Sequence, residues 1–85
     1  MQNTIFKLSK YKQILNVASE LLRAKEWSDN QEMFQASLER ALGLVDLLLT
    51  DPKWQDNYYF LLVLREEISK VYVKKQSIAD MLKVL

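Results

Sequence analysis

The 85 residues contain no cysteine and no histidine, and only one glycine and one proline. The first two absences remove disulfides, thiolate nucleophiles, cysteine-ligated metals and the side chain most used as general base or metal ligand. So little glycine and proline leaves few places for the tight turns of a many-stranded sheet. Long apolar runs are missing as well. The two longest, residues 58–64 and the interrupted stretch 41–49, are separated by Thr50-Asp51-Pro52-Lys53 and fall short of the roughly 20 residues that cross a bilayer. Met1-Gln2-Asn3-Thr4-Ile5-Phe6-Lys7 has no apolar core of signal-peptide length. The expectation is a cytoplasmic protein with no membrane association. Charge excess is absent too: the net value is +1, which argues against a strongly nucleic-acid-seeking domain.

What is present is apolar. Nearly half the positions, 49%, are hydrophobic, and a chain this short supports one core, so residues 1–85 form a single domain. About 64% of the unfolded surface would be buried at this size. That is a marginal core, and further burial by self-association would add to it.

The apolar residues recur at helical spacing. Tyr11, Ile14, Leu15, Ala18, Leu21 and Leu22 follow the i, i+3, i+4, i+7 pattern and predict one face of a helix over about residues 8–26. Lys12, Asn16, Ser19, Glu20 and Arg23 form its polar back. Ser28-Asp29-Asn30 supplies capping residues, and Asp29 with Glu32 resembles a capping box. A second helix, ending near Thr50, then buries Phe34, Leu38, Ala41, Leu42, Val45, Leu48 and Leu49. Asp51-Pro52 marks a break and a new start, because Asp51 can cap and Pro suits the first turn.

The third helix is expected over about residues 52–75, with Trp54, Leu61, Leu64, Ile68, Val71 and Tyr72 inward. Lys70, Lys74 and Lys75 lie near its end, where cations meet the helix dipole favourably. Ser77 can cap a short last helix carrying Ile78, Met81, Leu82 and Leu85, which either folds back on the core or docks in a partner's groove; continuation of the third helix is the other arrangement. The expected architecture is all-α: a three-helix antiparallel up-down-up bundle with a short C-terminal amphipathic helix.

Helix three carries more apolar surface than one bundle face needs. Val63 lies opposite its inward arc, with Tyr59 beside it and Leu62 and Val73 at the edge; on helix two, Leu47 falls in the polar sector. Tyr59, Leu62, Val63, Leu47 and Val73 are therefore the candidate interface, most simply of a twofold homodimer, with charged neighbours such as Glu66 and Lys70 at the rim. A further, unidentified protein partner fits the same surface.

Other features have structural explanations. Glu32, Glu39 and Asp46 repeat every seven residues, about 10.5 Å of helix rise, too far apart for any two to share a metal easily. They predict a solvated acidic strip or one paired to Lys and Arg. No Glu-x-x-Glu or Glu-x-x-His pattern occurs, and Glu-x-x-Asp occurs once, as Glu26-Trp27-Ser28-Asp29 across the expected turn after the first helix, so neither carboxylate-pair hydrolysis nor a di-iron site is expected. Glu66 and Lys70 are placed for an i, i+4 pair. Arg65, at the edge of the inward arc, either snorkels past Tyr58 or Tyr72 or pairs with Asp46 or Glu39.

Trp27 and Trp54 sit at helix turns, where they close a core end or line a ligand pocket. Tyr58-Tyr59-Phe60 cannot form one flat base-stacking platform, because a helix spreads three consecutive side chains around its axis. Gln76-Ser77-Ile78-Ala79-Asp80-Met81-Leu82 is similar to the first helix of helix-turn-helix DNA readers. Such a reader also needs a turn and a recognition helix, so these seven residues alone imply no DNA reading.

The expected function is non-enzymatic: a self-associating adaptor, accessory subunit or small regulator with no catalytic residue, cofactor or metal. The alternative is a nucleic-acid-associated regulator in which a dimer gathers Lys7, Lys10 and Lys12 with Lys70, Lys74 and Lys75.

Overall fold

A computed structural model describes residues 4–74 and 77–83. Ser9, extended in backbone, turns its hydroxyl back to accept from the Lys12 amide at 3.3 Å and starts helix α1, Lys10–Glu26. Before it, Thr4–Lys7 form a single 3-10 turn. Helix α2, Gln31–Leu48, is capped by Asn30, whose side chain accepts from the Met33 amide at 3.2 Å. The cap is thus one residue later than the Asp29–Glu32 box predicts. Asn30 has the extended backbone a cap requires, and the helix begins immediately after it.

Asp51 caps as expected, accepting from the Lys53 amide at 3.0 Å. The helix it starts does not run through. Pro52–Asn57 form a 3-10 segment, and α3 proper spans Tyr58–Tyr72. Asn57, at φ −130°, separates the two, and its side-chain oxygen accepts from the Lys10 ammonium. After α3, Lys74 takes a positive φ of 65°, and Ser77 caps a separate helix α4, Ile78–Leu82, accepting from the Asp80 amide at 3.1 Å. Lys75 and Leu85 lie outside the described residues.

Pairings between the helices fix their directions. Asp46 meets Arg65 and Glu39 meets the Tyr72 hydroxyl; seven residues back along α2 is seven residues forward along α3, so the two run antiparallel. Glu20 with Arg40 and Gln13 with Asp51 give the same sense for α1 and α2. Helix α2 packs against both α1 and α3, while α4 lies against α1 and α3. Ile78 and Met81 are buried in the common core with Leu21, Leu38, Leu48, Leu61 and Ile68. The last helix therefore folds back on its own chain. The whole measures 36 × 27 × 17 Å, an all-α bundle flattened in cross-section.

Helix α1 does not bury the face its periodicity predicts. Its inward residues are Gln13, Val17, Glu20, Leu21 and Ala24. Ile14 is half-buried, whereas Tyr11, Leu15 and Leu22 are exposed, Tyr11 by 73% and Leu22 by 53%. Two polar residues have replaced three large apolar ones. The cause is non-local. The Gln13 amide nitrogen donates to the Ile5 carbonyl at 2.9 Å and to Asp51 at 2.8 Å, and its oxygen accepts from the Trp54 indole at 2.6 Å. Glu20 is held between Arg23 and Arg40, the latter also donating to Ser37 at 3.1 Å. Helix α1 is turned to bring both polar groups to their partners.

Candidate functional site

Four of the five candidate interface residues share one surface. The inward row of α3 is Leu61, Leu64, Ile68 and Val71. At 100° per residue the opposite side of the helix carries Tyr59, Leu62, Val63, Glu66, Lys70 and Val73. Tyr59 is 80% exposed, and Leu62, Val63 and Val73 are exposed as well. Lys70 pairs with Glu67 at 3.2 Å in place of the expected Glu66. Glu66 remains on the outer face beside the apolar residues.

Leu47 belongs elsewhere. It is half-buried and lines a groove with Glu20, Arg40, Gly43 and Leu44, on the α1 side of α2. The α3 side of α2 is polar. There Asp46 accepts from Arg65 at 2.7 Å and Glu39 accepts from the Tyr72 hydroxyl at 2.9 Å. The acidic strip is thus partly paired to the neighbouring helix, and Arg65 takes the Asp46 pairing, with both side chains about half exposed. The bond from Tyr72 to Glu39, and the negative charge behind it, raise the phenol above its ordinary pKa.

A second outward apolar surface was not anticipated. Tyr11, Leu15 and Leu22, with half-buried Ala18 between them, line the outside of α1. The signal was present in the sequence, since Tyr11, Leu15, Ala18 and Leu22 keep a repeat of three and four residues. Periodicity alone assigns that stripe to the core.

The two tryptophans lie at opposite ends of the bundle, because α2, about 27 Å long at 1.5 Å per residue, separates their turns. No shared Trp27/Trp54 pocket forms. Trp27 is 41% exposed, while Trp54 is buried and packs on Phe60 with ring centroids 6.0 Å apart. Lys10 sits 4.8 Å from the Trp54 ring centroid, a cation–π contact. Around Trp54 the polar groups are held in a closed network. Burial would raise the Asp51 carboxyl, but the Lys53 amide, the Gln13 amide and the Lys53 ammonium together hold it below its ordinary pKa. The Lys53 ammonium also donates to the Phe6 carbonyl. No buried side-chain nitrogen or oxygen among the described residues lacks a partner.

Among the described residues no group of three or more acidic side chains could hold a metal ion, and no helix is long and apolar enough to cross a membrane. The lysines of the nucleic-acid alternative are not brought together within one chain. Lys10 is engaged at the start of α3, whereas Lys70 and Lys74 lie at its far end, and Lys75 is outside the described residues. Comparison with family models, with curated proteins and with solved structures found no match to this chain.

Proposed function

We propose that this is a non-enzymatic helical protein that acts through protein–protein contacts, as a self-associating adaptor, accessory subunit or small regulator. The observation that carries the reading is the outer face of α3, where Tyr59, Leu62, Val63 and Val73 stand exposed opposite a fully apolar inward row. A solvated helix has one apolar stripe, and this helix has two. Tyr59 supplies a large, stiff apolar body with a hydroxyl that tolerates water, a combination enriched at interfaces. Glu66 and Lys70 lie on the same face between Val63 and Val73, so its continuous apolar part is Tyr59, Leu62 and Val63. Docking a second α3 against it would bury the patch twice over in a twofold dimer.

The test is the mass in solution of the parent chain and of Tyr59→Glu combined with Val63→Glu. The parent associates at tens of micromolar, and the double variant shifts to a smaller species while keeping its helical circular dichroism. A parent that is monomeric under those conditions refutes the reading.

A further inference from the structure

The side of α2 opposite its buried row carries Ala36, Glu39, Arg40, Gly43, Asp46 and Leu47. Along it, beside α1, runs a shallow open groove of about 390 Å³ floored by Gly43, Leu44 and Leu47 and walled by Glu20 and Arg40. Gly43 is the chain's one glycine. It sits inside α2, where glycine weakens a helix relative to alanine. Nothing in the chain's own packing requires it: its φ is not positive, and a Cβ there would meet no atom within 4 Å.

We propose that this groove and helix face form an interface with a second copy of this chain, the two α2 helices crossing antiparallel at Gly43. The missing side chain lets the two backbones approach closely. Charge selects the occupant and its direction. In a twofold antiparallel crossing centred on residue 43, a residue three places before meets the residue three places after. Arg40 therefore meets the partner's Asp46, and Asp46 meets the partner's Arg40. In a parallel crossing Arg40 and the partner's Asp46 share a flank but stand six residues apart along the axis, about 9 Å at 1.5 Å per residue, and neither pair forms.

Both groups have capacity for this. Arg40 uses Nε on Glu20 and Nη2 on Ser37, and Asp46 uses Oδ1 on Arg65. Arg40 Nη1 and Asp46 Oδ2 have no partner among the described residues. Leu47 lies against the stem of the partner's Glu39 in the same register. The α3 patch is separated from this face by the Asp46–Arg65 and Glu39–Tyr72 pairs. A chain with two self-complementary faces builds assemblies larger than a dimer.

The experiment is sedimentation of the full chain, of Gly43→Gln, of Tyr59→Glu with Val63→Glu, and of all three substitutions together. The parent sediments as more than a dimer, each of the first two variants stops at a dimer, and the triple variant is a monomer. Gly43→Ala keeps the fold testable. Its thermal midpoint in dilute solution equals or exceeds the parent's, while its dissociation constant rises about tenfold.

Equal association of the parent and Gly43→Gln overturns the α2 interface, as does conversion to monomer by the Tyr59 and Val63 substitutions alone. If those leave association unchanged while Gly43→Gln gives monomers, the α2 interface stands and the α3 reading fails. A monomeric parent removes both.

Discussion

Gln13→Met is the sharpest test of how α1 is held. Methionine has nearly the same length and volume, so the change removes hydrogen bonds and opens little space. Three bonds are lost, to Trp54, Asp51 and the Ile5 carbonyl. They are not equivalent. The Ile5 carbonyl keeps the Leu8 amide at 3.1 Å, and the Asp51 oxygen keeps the Lys53 ammonium at 3.1 Å. Only the buried Trp54 indole loses its one acceptor, at a cost of about 1–3 kcal/mol, and the bond to the Asp51 carboxylate adds about 1.5–3 kcal/mol. Removing a buried amide from the core offsets part of this.

The net loss from Gln13→Met is about 2–4 kcal/mol, against a total stability of about 4–13 kcal/mol for a chain of this size. The thermal midpoint falls by roughly 10–30 °C. Urea unfolding followed by circular dichroism measures the loss. A double-mutant cycle with Trp54→Phe isolates the coupling, expected at about 1–2 kcal/mol. A loss below about 1 kcal/mol, or strictly additive costs in the cycle, would show that Gln13 does not orient α1.

Two further outcomes follow from the same packing. Asp51 has a lower pKa in the folded chain than unfolded, so the folded state binds fewer protons there; its contribution is complete above about pH 4 and is lost as pH falls through the depressed folded value. Asp51→Asn therefore flattens the acid limb of a stability-against-pH profile, and an unchanged slope removes the carboxylate from the account. Met81 is 1% exposed, so Met81→Ala costs about 2–5 kcal/mol if α4 is docked as described; calorimetry showing less than about 1 kcal/mol would mean that α4 does not seal the core.

The parts of the fold that were legible are those set by local spacing. In α3 the inward row Leu61, Leu64, Ile68 and Val71 is narrow and wholly apolar, so its opposite side, with Tyr59, Leu62 and Val63, could be identified by rotation alone. Helix α4 was legible from Ser77 and the spacing of Ile78 and Met81. What local spacing could not give was a choice among faces. The apolar arc of α1 runs from Val17 and Ala24 through Leu21 and Ile14 to Tyr11, Leu22 and Leu15, wider than any neighbour can cover.

Periodicity centres such an arc on its middle, whereas the fold chose one flank. The deciding contacts join Gln13 to residues 38 and 41 positions away. The expected single helix from residue 52 failed for a related reason. Asp51 and Pro52 announce a start, but the 3-10 turn they begin gives way to α-helix only after Asn57, whose side chain meets Lys10 of α1. Leu47 is half-buried against the core on the α1 side of α2, away from the α3 patch, since the Asp46–Arg65 and Glu39–Tyr72 pairs mark the flank that faces α3.

The orientation of α1 also bears on the apolar excess itself. Turning α1 to bury Tyr11, Leu15 and Leu22 would gain about 1.5–3 kcal/mol for each large side chain removed from water. It would also draw Gln13 from Trp54 and Asp51, and Glu20 from Arg40, stranding polar groups in a core where each now has a partner. The chain keeps the polar contacts and leaves the apolar stripe outside. Helix α2 is central, with α1 and α3 on its two flanks and α4 against both of them, in a body 17 Å through at its thinnest. The sides of α1 and α3 turned away from these neighbours carry Tyr11, Leu15 and Leu22, and Tyr59, Leu62, Val63 and Val73, all exposed. The outward surfaces of α1 and α3 are thus a consequence of this composition in this flattened arrangement.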